Sequence, residues 1–134
     1  MKITLEQKKD LVRIAKQVRK WAYAPYSNYK VGAALLTESG RIYEGVNVEN
    51  AGYSDTNCAE RTAVFTAVSN GEKDFVAIAV VTENGGTPCG SCRQVMAEFG
   101  QDLLVIVADE QENILMEKKI SELLPGAFTP KDLK

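Results

Sequence analysis

The sequence predicts an α/β fold, a mixed five-stranded sheet in a three-layer α/β/α arrangement, built by one domain over residues 1–134. Three observations carry that expectation. Strand-like stretches "YKVGAALLT" (29–37) and "RIYEGVNV" (41–48) on either side of the tight turn "ESGR" read as a β-hairpin. Two continuous apolar runs, "FVAIAVVT" (75–82) and "LLVIVA" (103–108), read as strands buried on both faces. A helical stretch separates those runs, and strand–helix–strand order implies parallel pairing through a right-handed crossover. At 134 residues, 45% of them hydrophobic, the chain can fill one compact core.

Taken in order, Thr4 opens the first helix, because Thr4-x-x-Gln7 has the spacing of a capping box. Leu11, Ile14, Val18 and Trp21 then recur at helical spacing and predict its buried stripe. Pro25 and its neighbours in "YAPYSNY" break the helix. Residues 29–37 and 41–48 form the hairpin strands. "CAERTAVFTAVSNG" is a second helix, ended by Asn70-Gly71 with glycine past the last turn. After the 75–82 strand and the loop "ENGGTP", "CGSCRQVMAEFG" is a third helix. The 103–108 strand follows, then "DEQENI" leads into a short strand, and "ISELLPGAF" ends in a helical stub.

Composition excludes several function classes. The net charge is −2 and the basic residues are scattered, which argues against a nucleic-acid surface. No apolar run nears the roughly 18 residues of a membrane span, and "MKITLEQKKDL" is charged where a signal peptide needs an apolar stretch. An odd number of cysteines, three, argues against a disulfide framework and for a reducing, cytoplasmic setting. The chain has no histidine, so His-dependent hydrolase triads and His-ligated metal sites are ruled out. Acid–base work falls to Glu, Asp, Tyr, Cys or Lys.

All three cysteines stand at helix starts, in "TNCAERTA" (56–63) and "TPCGSCRQ" (87–94). Free cysteine is often just a small buried hydrophobe. Cys89-x-x-Cys92 alone also fits a redox dithiol at a helix N-terminus, although that leaves Cys58 and Glu60 without a role. In a third reading, two helix N-termini bring Cys58, Cys89 and Cys92 to one zinc ion, their dipoles favouring the thiolates. Three ligands leave one position for water, which is the mark of a catalytic rather than a structural site. Asp or Glu are able to close it instead. Three thiolates on Zn²⁺ sum to −1, so Arg61 and Arg93 are candidates to draw charge off the sulfurs. Glu60 is the candidate proton carrier beside the metal; the ordinary use of a carboxylate there is to stabilise the helix start.

Cys-Ala-Glu followed by Pro-Cys-x-x-Cys resembles the signature of zinc nucleobase deaminases in its all-cysteine form. The likeness extends through "APYSNYKVGAALL", "GVNVENAGYSDTNCAERTAVF", "TPCGSCRQVMAEF" and "ELLPGAF" to the small homotetrameric cytidine deaminases over nearly the whole chain. It implies one zinc per chain on Cys58, Cys89 and Cys92, with Glu60 moving protons. It further implies hydrolytic deamination of cytidine and 2′-deoxycytidine to uridine and 2′-deoxyuridine, with release of ammonia. Asn47 and Glu49 look like the pair that bonds the ribose 3′-hydroxyl, and Tyr53 lies in the same substrate-lining segment. The Ala59 N–H is expected to bond the base carbonyl, and the Thr87 carbonyl to accept from the amino group. Tyr29 falls where similar proteins carry a phenylalanine against the pyrimidine. Phe128 resembles an aromatic that reaches a neighbouring subunit's site, so the resemblance implies a homotetramer with shared sites. Deamination of another cytosine nucleoside, such as blasticidin S, is the nearest alternative; a non-catalytic zinc or nucleoside-binding module is the next.

Overall fold

The structure is a computed structural model that describes residues 2–133. Its strands are β1 (Gly32–Thr37), β2 (Ile42–Val46), β3 (Phe75–Val81), β4 (Leu104–Ala108) and β5 (Ile114–Lys119), in the spatial order β2-β1-β3-β4-β5. β1 runs antiparallel to both β2 and β3, β3 pairs parallel with β4, and β5 closes the sheet antiparallel to β4. The parallel pair is the one the two apolar runs predicted. The helices are α1 (Leu5–Val18), α2 (Ala59–Ser69), α3 (Gly90–Glu98) and a short α4 (Ile120–Leu123).

Side-chain alternation along the strands divides the core into two layers. Leu35, Ile78, Val80, Val105 and Val107 face α2 and α3, where Val64, Ala67 and Met96 cover them. Ala34, Leu36, Ala77, Ala79, Val81 and Ile106 face the other way and meet Leu11, Val12 and Ala15 of α1. Because both faces are covered, the central strands read as unbroken apolar runs rather than alternating ones.

α1 starts where the capping box predicts. Thr4 Oγ1 accepts from Gln7 N at 3.1 Å, and Gln7 Oε1 accepts from Thr4 N at 2.8 Å. Its buried face differs from the expected stripe. Leu11, Val12 and Ala15 are buried, Ile14 and Val18 are half-buried, and Trp21 is 71% exposed. The reason is that α1 ends at Val18, and a 3₁₀ turn at Arg19–Trp21 swings the indole off the helical period. β1 also begins three residues later than expected. The Asn47 side chain takes the backbone partners of that stretch, donating Nδ2 to the Tyr29 carbonyl and accepting from Val31 N, each at 2.9 Å. Among the described residues, no helix is long and apolar enough to cross a membrane.

Candidate active site

Cys58 is the N-cap of α2 and Cys89 the N-cap of α3, both in extended backbone, while Cys92 lies buried in the first turn of α3. Packing α2 and α3 side by side on one face of the sheet brings these helix starts together. The three Sγ atoms lie within 4.8 Å of one another, with Cys89 and Cys92 at 3.4 Å and Cys58 and Cys89 at 4.0 Å. All three are free thiols. Sulfurs held about 2.3 Å from a tetrahedral zinc ion stand about 3.8 Å apart, so this set fits one zinc. Among the described residues no carboxylate joins the cluster, which leaves the tetrahedron one ligand short.

The charges around the sulfurs agree with that fit. Donation from the Cys92 thiol and from the Arg61 guanidinium holds Cys58 down at about 5. Cys92 is pushed the other way, by its bond to Cys58 and by burial. A divalent ion is what lets a thiol raised in this way ionise. Arg61 donates Nη2 to Cys58 Sγ at 3.4 Å, and its Nε is buried without a partner. Arg93 turns elsewhere: Nε to the Pro88 carbonyl at 2.8 Å, Nη1 to the Leu123 carbonyl at 2.7 Å, and Nη2 to Thr87 Oγ1 at 3.3 Å. It staples the segment before Cys89 to the end of α4.

Glu60, the second residue of α2, is 4% exposed. Burial raises its carboxyl to about 7, and the negative charge on Cys58 adds to the rise. A carboxyl poised there takes up and gives back a proton near neutral pH, which is the property a proton shuttle needs. It lines a cleft of about 300 Å³ together with Cys58, Ala59, Cys89, Asn47, Glu49, Tyr29 and Thr87. Eight of the residues singled out from the sequence thus share one cavity.

Cys92 and Arg61 back it at the thiol cluster, whereas Tyr53 and Phe128 stand apart from it. Tyr53 is 75% exposed and belongs to an adjoining cleft, edge-on to Tyr26 with ring centroids 6.2 Å apart. Phe128 is 57% exposed, and its carbonyl accepts from Gln94 Nε2 at 2.8 Å. Asn47 and Glu49 are already engaged within the chain. Asn47 ties Tyr29 to Val31, as described above, and Glu49 Oε1 accepts from Tyr26 N at 2.9 Å and Ser27 N at 3.1 Å. Ser27 Oγ donates to Glu49 Oε2, and this bond with the two amides holds the Glu49 carboxyl below the usual range. Each side chain keeps unused lone pairs or N–H groups for a ligand.

Ser27, Val31, Thr56, Val80, Thr82 and Gly86 also line the cleft, and sequence reasoning missed them. For Thr82 a signal existed: it follows the carboxyl end of a parallel strand, where α/β sheets place their ligands. For the others no local pattern separates a cleft wall from an ordinary loop.

A family model for the cytidine and deoxycytidylate deaminase zinc-binding region matches residues 5–108, the stretch that holds all three cysteines and Glu60. A cytidine deaminase of Halalkalibacterium halodurans is 53% identical over 126 residues, spanning 92% of this chain and 95% of its own. One from Sporosarcina psychrophila is 50% identical over 125 residues, 92% of each chain. The crystal structure of a cytidine deaminase from Burkholderia pseudomallei matches with a TM-score of 0.86 at 47% identity, covering 94% of this chain and 100% of that one.

Proposed function

The chain belongs to the cytidine and deoxycytidylate deaminase family, and from that premise we propose that it converts cytidine and 2′-deoxycytidine to the corresponding uridines by hydrolysis, releasing ammonia. The observation that carries the reading is a three-thiol cluster one ligand short of closed, with the buried Glu60 beside it in the same cleft. Cys58, Cys89 and Cys92 hold one zinc per chain. When bound, zinc supplies a Lewis acid that makes water nucleophilic near neutral pH.

The chain's own groups do the rest. Glu60 takes a proton at its carboxylate from the water that attacks C4 of the base. It delivers this proton to N3, then takes the remaining proton from the hydroxyl added at C4 and passes it to the departing amino nitrogen, serving as base and acid in turn. The Ala59 N–H, at the start of α2, bonds the base carbonyl, and the Thr87 carbonyl accepts from the amino group. Asn47 and Glu49 meet the ribose 3′-hydroxyl, Tyr29 packs against the ring, and Tyr53 borders the entrance. Arg61 offsets the charge of the thiolates, while Arg93 keeps the Thr87–Pro88 segment in place. We take residues 1–134 as one catalytic domain that works in the cytoplasm as a homotetramer. Exposed Phe65 and Val68 on α2, and Phe128, support assembly with shared sites.

An absorbance assay for cytidine loss, run on wild type and Glu60→Gln with zinc measured in both, tests the reading. Wild type should turn over with about one zinc per chain, the count one three-thiol site implies. Glu60→Gln should lose about 10²–10⁴-fold in kcat while keeping its zinc. Zinc without turnover of either nucleoside would leave a binding role, and preferential turnover of blasticidin S would move the substrate.

A further inference from the structure

Tyr29 lines the cleft, and its hydroxyl has a specific partner. The phenol donates to Asn84 Oδ1 at 2.7 Å, linking the segment before β1 to the loop after β3. That loop, residues 82–88, brings Gly86 and Thr87 to the cleft wall and runs directly into Cys89. It turns on Thr82, whose buried Oγ1 accepts from Gly85 N at 2.7 Å and Gly86 N at 2.8 Å. The same Oγ1 lies 3.5 Å from Asn84 Oδ1 as donor, so tyrosine and threonine meet on one acceptor.

The loop is also shaped for the phenol. A Cβ on Gly86 would lie 2.5 Å from Tyr29 Oη, and one on Gly85, at φ +77, would lie 2.3 Å from Leu115 Cδ1. The two glycines let bare backbone pass between the phenol and Leu115 of β5. The near end of Tyr29 is fixed as well, its carbonyl by Asn47 Nδ2 at 2.9 Å and its N–H by Ser27 Oγ at 3.0 Å. A ring tied at both ends acts as a strut across the cleft.

We propose that Tyr29 and Asn84 form a latch that holds the 82–88 loop against the base pocket, making both of them positioning residues for substrate capture. Its effect on turnover rests on the deaminase reading, because the nucleoside is what the loop encloses. One neutral hydrogen bond changes an equilibrium by about three- to tenfold, and the latch is expected to act on that scale.

The test uses zinc-loaded wild type, Tyr29→Phe, Asn84→Ala and the double variant. The first readout is hydrogen exchange without substrate. Tyr29→Phe should raise exchange at the Gly85 and Gly86 amides about three- to tenfold and leave α2 and β4 unchanged. Unchanged exchange in the loop overturns the latch, whether or not the protein is a deaminase. The second readout is kcat/KM on cytidine. Each single variant should lose about three- to tenfold, mostly through KM, and the double variant no more than either. Losses that multiply, or Asn84→Ala at the wild-type rate, overturn it too. If wild type deaminates neither nucleoside while Tyr29→Phe still loosens the loop, the latch stands and the deaminase reading fails.

Discussion

Arg61 and Arg93 occupy equivalent places in the sequence, each immediately after a proposed site residue (Glu60 and Cys92), yet their guanidinium groups differ in what they touch. Arg61 reaches Cys58 Sγ, whereas Arg93 directs its nitrogens to the Pro88 and Leu123 carbonyls and the Thr87 hydroxyl. Three thiolates and one zinc ion sum to −1, and a single guanidinium neutralises them. Without it the sulfurs donate more strongly and the metal is a weaker acid. Arg61→Gln is therefore expected to lower kcat/KM about 10–100-fold while zinc stays bound. Arg61→Lys should regain part of the loss, since the charge returns without the fork geometry. Kinetics with a zinc assay on both variants check this. Full activity in Arg61→Gln, or equal losses in the two, would sink the charge role. The sequence pointed to both arginines but did not separate them. What Arg93 bonds depends on the Leu123 carbonyl, which lies far along the chain and is brought near by packing. Ser27 and Gly86 went unseen for the same reason, because nothing local marks a residue that another segment will face.

Helix starts, strand runs and turn chemistry were legible at the scale of elements, because each rests on neighbours in sequence. Thr4 and Gln7 cap α1 through side chains three residues apart. The errors came where tertiary contacts override the local pattern: Trp21 beyond the end of α1, and residues 29–31, whose backbone the Asn47 side chain claims. How α2 is seated is a further property of this kind. Gly45 of β2 lies under the helix, and a Cβ there would sit 2.4 Å from the Ala59 carbonyl oxygen and 2.5 Å from Ala63 N. Both are backbone atoms, so nothing swings aside and the start of α2 must move, taking Cys58 and Glu60 with it. Gly45→Ala is expected to cost about 1–3 kcal/mol in denaturant unfolding and to weaken zinc retention. Gly90, between two of the thiols at the start of α3, has open space around its Cα. Gly90→Ala serves as the control, and it should match wild type or gain about 0.5–1 kcal/mol. A Gly45→Ala protein as stable as wild type would show that α2 has slack under it.

In the whole molecule, the sheet and its layers were readable because apolar runs covered on both faces leave a plain mark in sequence. How much of the fold depends on zinc was not, since the metal joins helix starts while the core joins everything else. Two apolar layers, one under α1 and one under α2 and α3, pack the sheet without using the metal. Among the cluster's thiols, only Cys92 is part of the buried core itself. Zinc removal should therefore weaken the fold without abolishing it, unlike small zinc domains whose folding free energy is mostly metal binding. At free zinc about a thousandfold above Kd, the linked stabilisation is about 4 kcal/mol. Chelation is expected to lower unfolding stability by about that amount, to leave the far-ultraviolet circular dichroism close to native, and to be reversed by added zinc. Cys58→Ala should behave like the chelated protein and respond little to chelator. Loss of the native spectrum on chelation would mean that the layers do not stand alone. No change in stability would mean that the thiol cluster does not hold the ion at all.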